Sequence, residues 1–193
     1  MIVVCIIGVL ASVAVPTYSR FINEARAGEG VSSLGSLFRL AVAYWEKPHS
    51  GQGLTAAGPG HCVAMDGFAS QVAPPFPPVP YKRTADFSTL SIFRDLGFSR
   101  PDPSYFVIAG GGTADSGFPG ALDVQCGSTQ DALFAYGFAA ACDLDGDGMI
   151  GGYSIIVAAQ GGQLIRRRGF GDLADYFDAT GVPACAFCST GID

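Results

Sequence analysis

Charge is scarce in this sequence, and groups able to act as bases near neutrality are scarcer. Charged residues make up 15% of the 193, and the two histidines, His49 and His61, stand twelve positions apart in one stretch. Proton-transfer catalysis usually needs a group that titrates near the working pH. Little here supplies one. The chain carries no serine elbow, no phosphate loop and no dinucleotide fingerprint. Gly110-Gly111-Gly112 follows an apolar run, but no lysine or helix start comes after it, so it is better taken as a turn. These absences point away from an enzyme. With 11 basic against 17 acidic residues the net charge is −6, so a diffuse attraction to nucleic acid is not expected, which leaves room for a local basic patch.

Charge is missing altogether from Met1 to Val15, MIVVCIIGVLASVAV, which Pro16 follows. Fifteen apolar residues in a helix span roughly 22 Å, short of the ~30 Å hydrocarbon core of a bilayer. A membrane anchor, a cleaved secretory signal and a buried core helix all fit such a run. A signal would want a basic region ahead and a small-residue site behind, and Ala11-Ser12-Val13-Ala14 is a poor version of the second. Arg20 and the amphipathic continuation favour an anchor that stays attached. Beyond Pro16, Phe21, Ala25, Leu34, Phe38, Ala41 and Trp45 recur near multiples of 3.6, interleaved with Arg20, Glu24, Arg26, Glu29 and Arg39. That spacing predicts one helix with a single buried stripe up to Pro48. Gly28, Gly30 and Gly35 each weaken it by roughly 1 kcal/mol against alanine, so it needs a packing partner.

The chain therefore divides into an apolar helix over 1–16, an amphipathic helix over 17–47 and a head over 48–193, long enough for one core of its own. Gly 27 and Pro 12 make up a fifth of the residues, which suits a loop-rich β head. From His49 to Tyr81 the chain reads as loop, with the proline-dense Ala73 to Pro80 as an extended surface segment rather than a ligand for an aromatic groove. Asp86 to Gly97 places Phe87, Leu90, Phe93 and Leu96 three apart, a short helix ended by Gly97. Apolar runs at 105–109, 133–141 and 153–159, with 163–168 as a fourth candidate, predict an antiparallel meander whose covered face meets the long helix.

Asp143-Leu144-Asp145-Gly146-Asp147-Gly148 joins two of those runs, and alternating carboxylates before a glycine open a calcium loop. Asp143, Asp145 and Asp147 would ligate through carboxylates and Met149 through its carbonyl. The twelfth position, which should be a bidentate glutamate, is Ser154, and Gly151 offers no side chain. A polar hairpin turn is the other interpretation. Ca²⁺ is the one cofactor these residues suggest. Arg166-Arg167-Arg168 could touch DNA phosphates or a neighbour's acidic loops, but alternate side chains of a strand share a face, which favours a solvated strand end.

Six cysteines indicate an oxidising compartment for the head. Cys5, inside the apolar run, is expected to stay a thiol. Of the remaining five, Cys126 with Cys142 closes a short loop worth ~3 kcal/mol, and Cys62 with Cys185 or Cys188 would tie down the C-terminal region. A redox pair at Cys185 and Cys188, or half a zinc site with His61 and Cys62, are the sharper alternatives to these structural bridges.

Met1 to Tyr18, with its Gly8 to Pro16 spacing and the Pro16-Thr17-Tyr18 that follows, resembles the mature N-terminal segment of bacterial type IV pilins and pseudopilins. The resemblance covers about a tenth of the chain. It implies a basic leader, a cleavage site and a Phe-Thr-Leu-Ile-Glu-Leu hexapeptide ahead of Met1, none of which stands in this sequence. It also implies an α+β pilin fold, with a long N-terminal helix packed on an antiparallel sheet. The implied role is a structural subunit, held in the inner membrane and then polymerised into an extracellular filament. Ile2, Val3, Val4, Ile6, Ile7, Gly8, Val9, Leu10, Val13, Val15 and Pro16 would meet lipid first and other copies of the chain later. The helix would lose regular winding between Gly8 and Pro16 inside the filament. The implied partners are the chain itself, the pilus assembly machinery and membrane lipid, with roles in adhesion, twitching motility or DNA uptake. A minor pilin or a secretion pseudopilin shares the helix. A monomeric, membrane-tethered, Ca²⁺-dependent binding module is the reading from a different class.

Overall fold

A computed structural model describes residues 2–47, 60–64, 71–112, 120, 122, 126–128, 131–167 and 171–172. Its first element, α1 (Ile2–Glu46), is a single helix of 45 residues, about 67 Å long. It runs unbroken through Gly8 and Pro16. Past the first turns it lies on an antiparallel sheet, so the molecule is α+β.

The elements that follow are β1 (His61–Cys62), β2 (Gln71–Ala73), α2 (Ser91–Leu96), β3 (Val107–Gly112), β4 (Cys126–Ser128), β5 (Ala132–Cys142), β6 (Gly151–Gln160), β7 (Gln163–Arg166) and β8 (Gly171–Asp172). The main sheet has the order β2-β3-β5-β6-β7, with β8 pairing the start of β6 at Tyr153 and Ser154. β1 and β4 form a separate two-stranded ribbon. The centre of the sheet is a long hairpin, in which Cys142 faces Gly151 and Ala132 faces Ala159. Along β5, Tyr136, Phe138 and Ala140 share the core with Leu34, Leu37, Ala41 and Trp45 of α1.

The apolar runs at 133–141, 153–159 and 163–168 are the strands β5, β6 and β7, the last ending at Arg166. The run at 105–109 begins β3 two residues late and continues through the three glycines, which pair with Phe138, Gly137 and Tyr136. Those glycines are strand rather than turn. A backbone without side chains is accepted there because Phe93 and Phe138 fill the space above Gly110. The 86–97 segment is a 3-10 turn at Phe87–Thr89 followed by α2, and Gly97 takes the left-handed conformation, φ 72°, as its cap. Phe87, Phe93 and Phe98 pack with ring centroids 5.0 to 5.7 Å apart.

Three further expectations are corrected. The stretch from His49 to Tyr81 holds two strands, β1 and β2, too short for a two-residue period to register. Its proline segment bends repeatedly, at 74, 76, 77 and 80, so it is no polyproline rod. The buried stripe of α1 is Ala27, Leu34, Leu37, Ala41 and Trp45, with Phe38 at its margin and Phe21 and Ala25 exposed. The head does not reach down to Phe21, so that end of the predicted stripe has nothing to pack on.

Gly30 shows why α1 tolerates a glycine at this position. A Cβ there would lie 2.6 Å from the Phe106 ring. The absent side chain lets helix and sheet touch directly. At the other end, Trp45 donates its indole N–H to the Gly162 carbonyl at 3.0 Å and stacks on His61, centroids 4.5 Å apart. His61 Nδ1 is 2.9 Å from the Trp45 carbonyl and donates to it.

Candidate functional site

Along the first four turns of α1, Ile2, Val3, Val4, Ile6, Ile7, Val9, Leu10, Val13 and Val15 are all more than half exposed, from 54% to 78%. Nothing approaches within 4 Å of where a Cβ on Gly8 would stand. The helix is long and apolar enough to cross a membrane. Each such side chain left in water forgoes ~1.5 to 3 kcal/mol, so this surface favours removal from water by tens of kcal/mol before ordering costs. Its two hydroxyls add no penalty. Ser12 Oγ donates to the Val9 carbonyl at 2.7 Å and Thr17 Oγ1 to the Val13 carbonyl at 2.8 Å, so neither enters an apolar phase unpaired. Exposed Tyr18 and Phe21 mark the end of the segment. Cys5 is an exposed free thiol, as expected.

Where α1 enters the head, a polar clamp fixes it. Glu29 pairs with Arg100 and lies 3.8 Å from Lys82 Nζ. Arg100 also donates to Ser33 Oγ at 2.9 Å and Ser104 Oγ at 3.0 Å. Arg26 and Lys82 sit 4.8 and 5.1 Å from the Tyr105 ring centroid. Beside the clamp is a cleft of about 380 Å³ lined by Ser32, Ser33, Ser36, Phe98 and Arg100. Sequence reading missed this group, because nothing local ties a helix glutamate to an arginine 71 positions on.

Asp143, Asp145 and Asp147 do come together, each with a carboxylate oxygen within 4.8 Å of the others. The loop that holds them joins β5 to β6, and Gly146 and Gly148 take positive φ of 80° and 85° to close it. Each carboxylate accepts an amide of the same loop: Gly146 N–H to Asp143 at 2.7 Å, Asp147 N–H to Asp145 at 3.3 Å, Met149 N–H to Asp147 at 2.7 Å. Three side-chain oxygens remain for a cation that wants six to eight. Ser154 is paired with Ala139 inside β6 and buried, so it is not part of the loop.

The cysteine pairing is corrected. Cys62 is bonded to Cys126, joining β1 to β4, and Cys142 is a buried free thiol at the end of β5. The bridge between Cys126 and Cys142 is absent because β5 carries Cys142 to the loop end of the hairpin while β4 pairs with β1. Cys62 is therefore unavailable to Cys185 or Cys188, and its sulfur cannot be a zinc thiolate. Cys185 and Cys188 lie outside the described residues, as does His49.

Of the arginine run, exposed Arg166 lies over Phe38, 4.6 Å from its centroid. Arg167 N–H donates to the Ile156 carbonyl at 3.0 Å, and Arg168 lies outside the described residues. No protein-family model, curated protein or solved structure matches this chain.

Proposed function

We propose that this chain is a non-enzymatic structural subunit of a type IV pilin-like filament, with a pilin fold. Residues 2 to about 16 would anchor it in the inner membrane and then pack against other copies in an extracellular fibre. The observation that carries this reading is the uniform exposure of Ile2 to Val15 on the same unbroken helix whose second half is built into a sheet. A buried core helix would have its apolar side chains covered, and a cleaved signal would not continue into the core of the head. Two solvents in turn, lipid and a bundle of identical helices, give such a segment a use at each stage. The machinery that moves subunits from membrane to fibre is the implied partner. Adhesion, motility and DNA uptake are the roles such a fibre would serve, and a minor pilin or secretion pseudopilin would use the helix in the same way.

Imaging of sheared surface material, with identification of its subunits, tests the proposal. Fibres in which this chain is the dominant band are expected. Abundant fibres without it would overturn a major-subunit role and leave the minor one.

The carboxylate cluster favours a second reading, a membrane-tethered binding module that takes up Ca²⁺ weakly at Asp143, Asp145 and Asp147. It predicts a thermal shift with added Ca²⁺ that Asp145→Asn abolishes, and a chain that stays single in detergent.

A further inference from the structure

The strands and helix together decide which end of the head faces the start of α1. Residues 26–33 of α1 meet Arg100, Tyr105 and Phe106 in the segment that leads into β3, whereas Trp45 meets Gly162 in the β6–β7 turn. β3 begins opposite Ala141, so the 143–150 loop leaves the sheet at that same end. The proline segment is there too. Arg83, bridged to Ser104, donates to the Pro77 carbonyl at 3.0 Å, and Pro80 lies 3.3 Å from the place of a Cβ on Gly146. Among the described residues, five large apolar side chains of the head are exposed, and three of them, Phe76, Tyr81 and Met149, belong to these two loops.

Helical rise sets the distance from this end to the apolar segment. From Phe21 to Arg26 is five residues, about 7.5 Å, comparable to the headgroup layer on one side of a bilayer. Aromatic side chains with Tyr18 and Phe21 at the helix boundary are what such a layer accepts. We propose that the base of the head is a second membrane contact, with Phe76, Tyr81 and Met149 seated in the headgroup layer of the bilayer that α1 crosses. The proposal rests on the anchor reading above. Exposed Asp145 and Asp147 share this end with Lys82 and Arg83, so charge gives no preference for anionic lipid. The contact is aromatic and apolar. It holds the head of the anchored, unassembled chain upright on the membrane and is released when the helix leaves the bilayer.

Trp45 is the sole tryptophan and lies at the far end of the head, 27 residues up the helix from Tyr18, about 40 Å. The full chain is reconstituted in vesicles of neutral phosphatidylcholine, plain or brominated near the carbonyl end of the acyl chains. Wild-type emission is expected to be unchanged by bromine. Phe76→Trp and Tyr81→Trp should each add emission that brominated lipid largely removes, while the Trp45 contribution persists and reports an intact fold. Val13→Trp supplies the control for the anchor. Quenching at position 13 with none at 76 and 81 would overturn the contact and leave the anchor standing. Absence of quenching at all three would overturn the anchor reading itself. A bromine-insensitive blue shift at 76 or 81 that disappears on dilution in lipid would assign the patch to a second copy of the chain and overturn the lipid contact.

Discussion

Burial, reinforced by Asp143 and Asp145, pushes the Cys142 thiol up to about 12 from an ordinary 9.0. The folded state thus holds a proton that the unfolded chain releases. Its contribution is complete below pH 9.0 and is lost as pH rises toward about 12, with a limiting slope of about 1.4 kcal/mol per unit. Tyr136, whose hydroxyl accepts the Ala64 amide at 2.8 Å in the core, is also raised by burial and adds to the same alkaline loss. Cys142→Ala is expected to cost about 1 kcal/mol at neutral pH and to flatten the alkaline limb, read as melting temperature against pH. Iodoacetamide should leave Cys142 unlabelled until the chain unfolds. The bonded pair behaves differently: Cys62→Ser opens a link across 64 positions, which removes about 4 kcal/mol in the chain-entropy view. Spacing could not find that pair. A 16-residue loop from Cys126 to Cys142 looked easier to close, but closure entropy grows slowly with length and strand pairing decides which sulfurs meet.

Of the four glycines of α1, Gly28, Gly30 and Gly35 lie in the half that meets the head, and at Gly30 the place of the missing side chain is filled by a neighbour. Gly30→Ala should gain roughly 1 kcal/mol in helix propensity yet lose more to the Phe106 ring, a net destabilisation of about 1 to 2 kcal/mol in urea melts. Adding Phe106→Leu should return part of the loss, and the coupling in that cycle measures the contact. Replacing Glu29 with Gln leaves Arg100 without its carboxylate, at a cost of about 1 to 2 kcal/mol for a partly buried charge. These contacts were invisible in one dimension. The helix itself, its end near Pro48, α2 with its Gly97 cap and the β5–β6 hairpin were legible, because period and punctuation act within a few residues. The face that α1 buries was legible only from Leu34 onward: periodicity continues to Phe21, but coverage stops where the head stops. Likewise β1, β2 and β4 owe their existence to partners distant in sequence, and two or three residues carry no pattern of their own.

At the scale of the molecule, the sheet and the second half of α1 close a core, with Leu34, Leu37, Trp45, Phe93, Phe106, Tyr136, Phe138 and Ile155 all at most 2% exposed, while the first half of the same helix closes nothing. The folded core is therefore energetically separate from whatever covers the first half of α1. A charge placed in the exposed half touches no head residue and leaves the core as it is, yet it costs about 2.5 to 3.5 kcal/mol at the centre of a membrane helix and disrupts any apolar bundle the helix would enter. Ile6→Asp with Val13→Asp is accordingly expected to leave the head's melting transition and the Trp45 emission unchanged while sharply reducing membrane retention and fibre yield. Retention of both in the doubly charged chain would show that some other surface drives association. Loss of the head's transition would show that the exposed half is part of the folded core after all, contrary to its separation from the sheet.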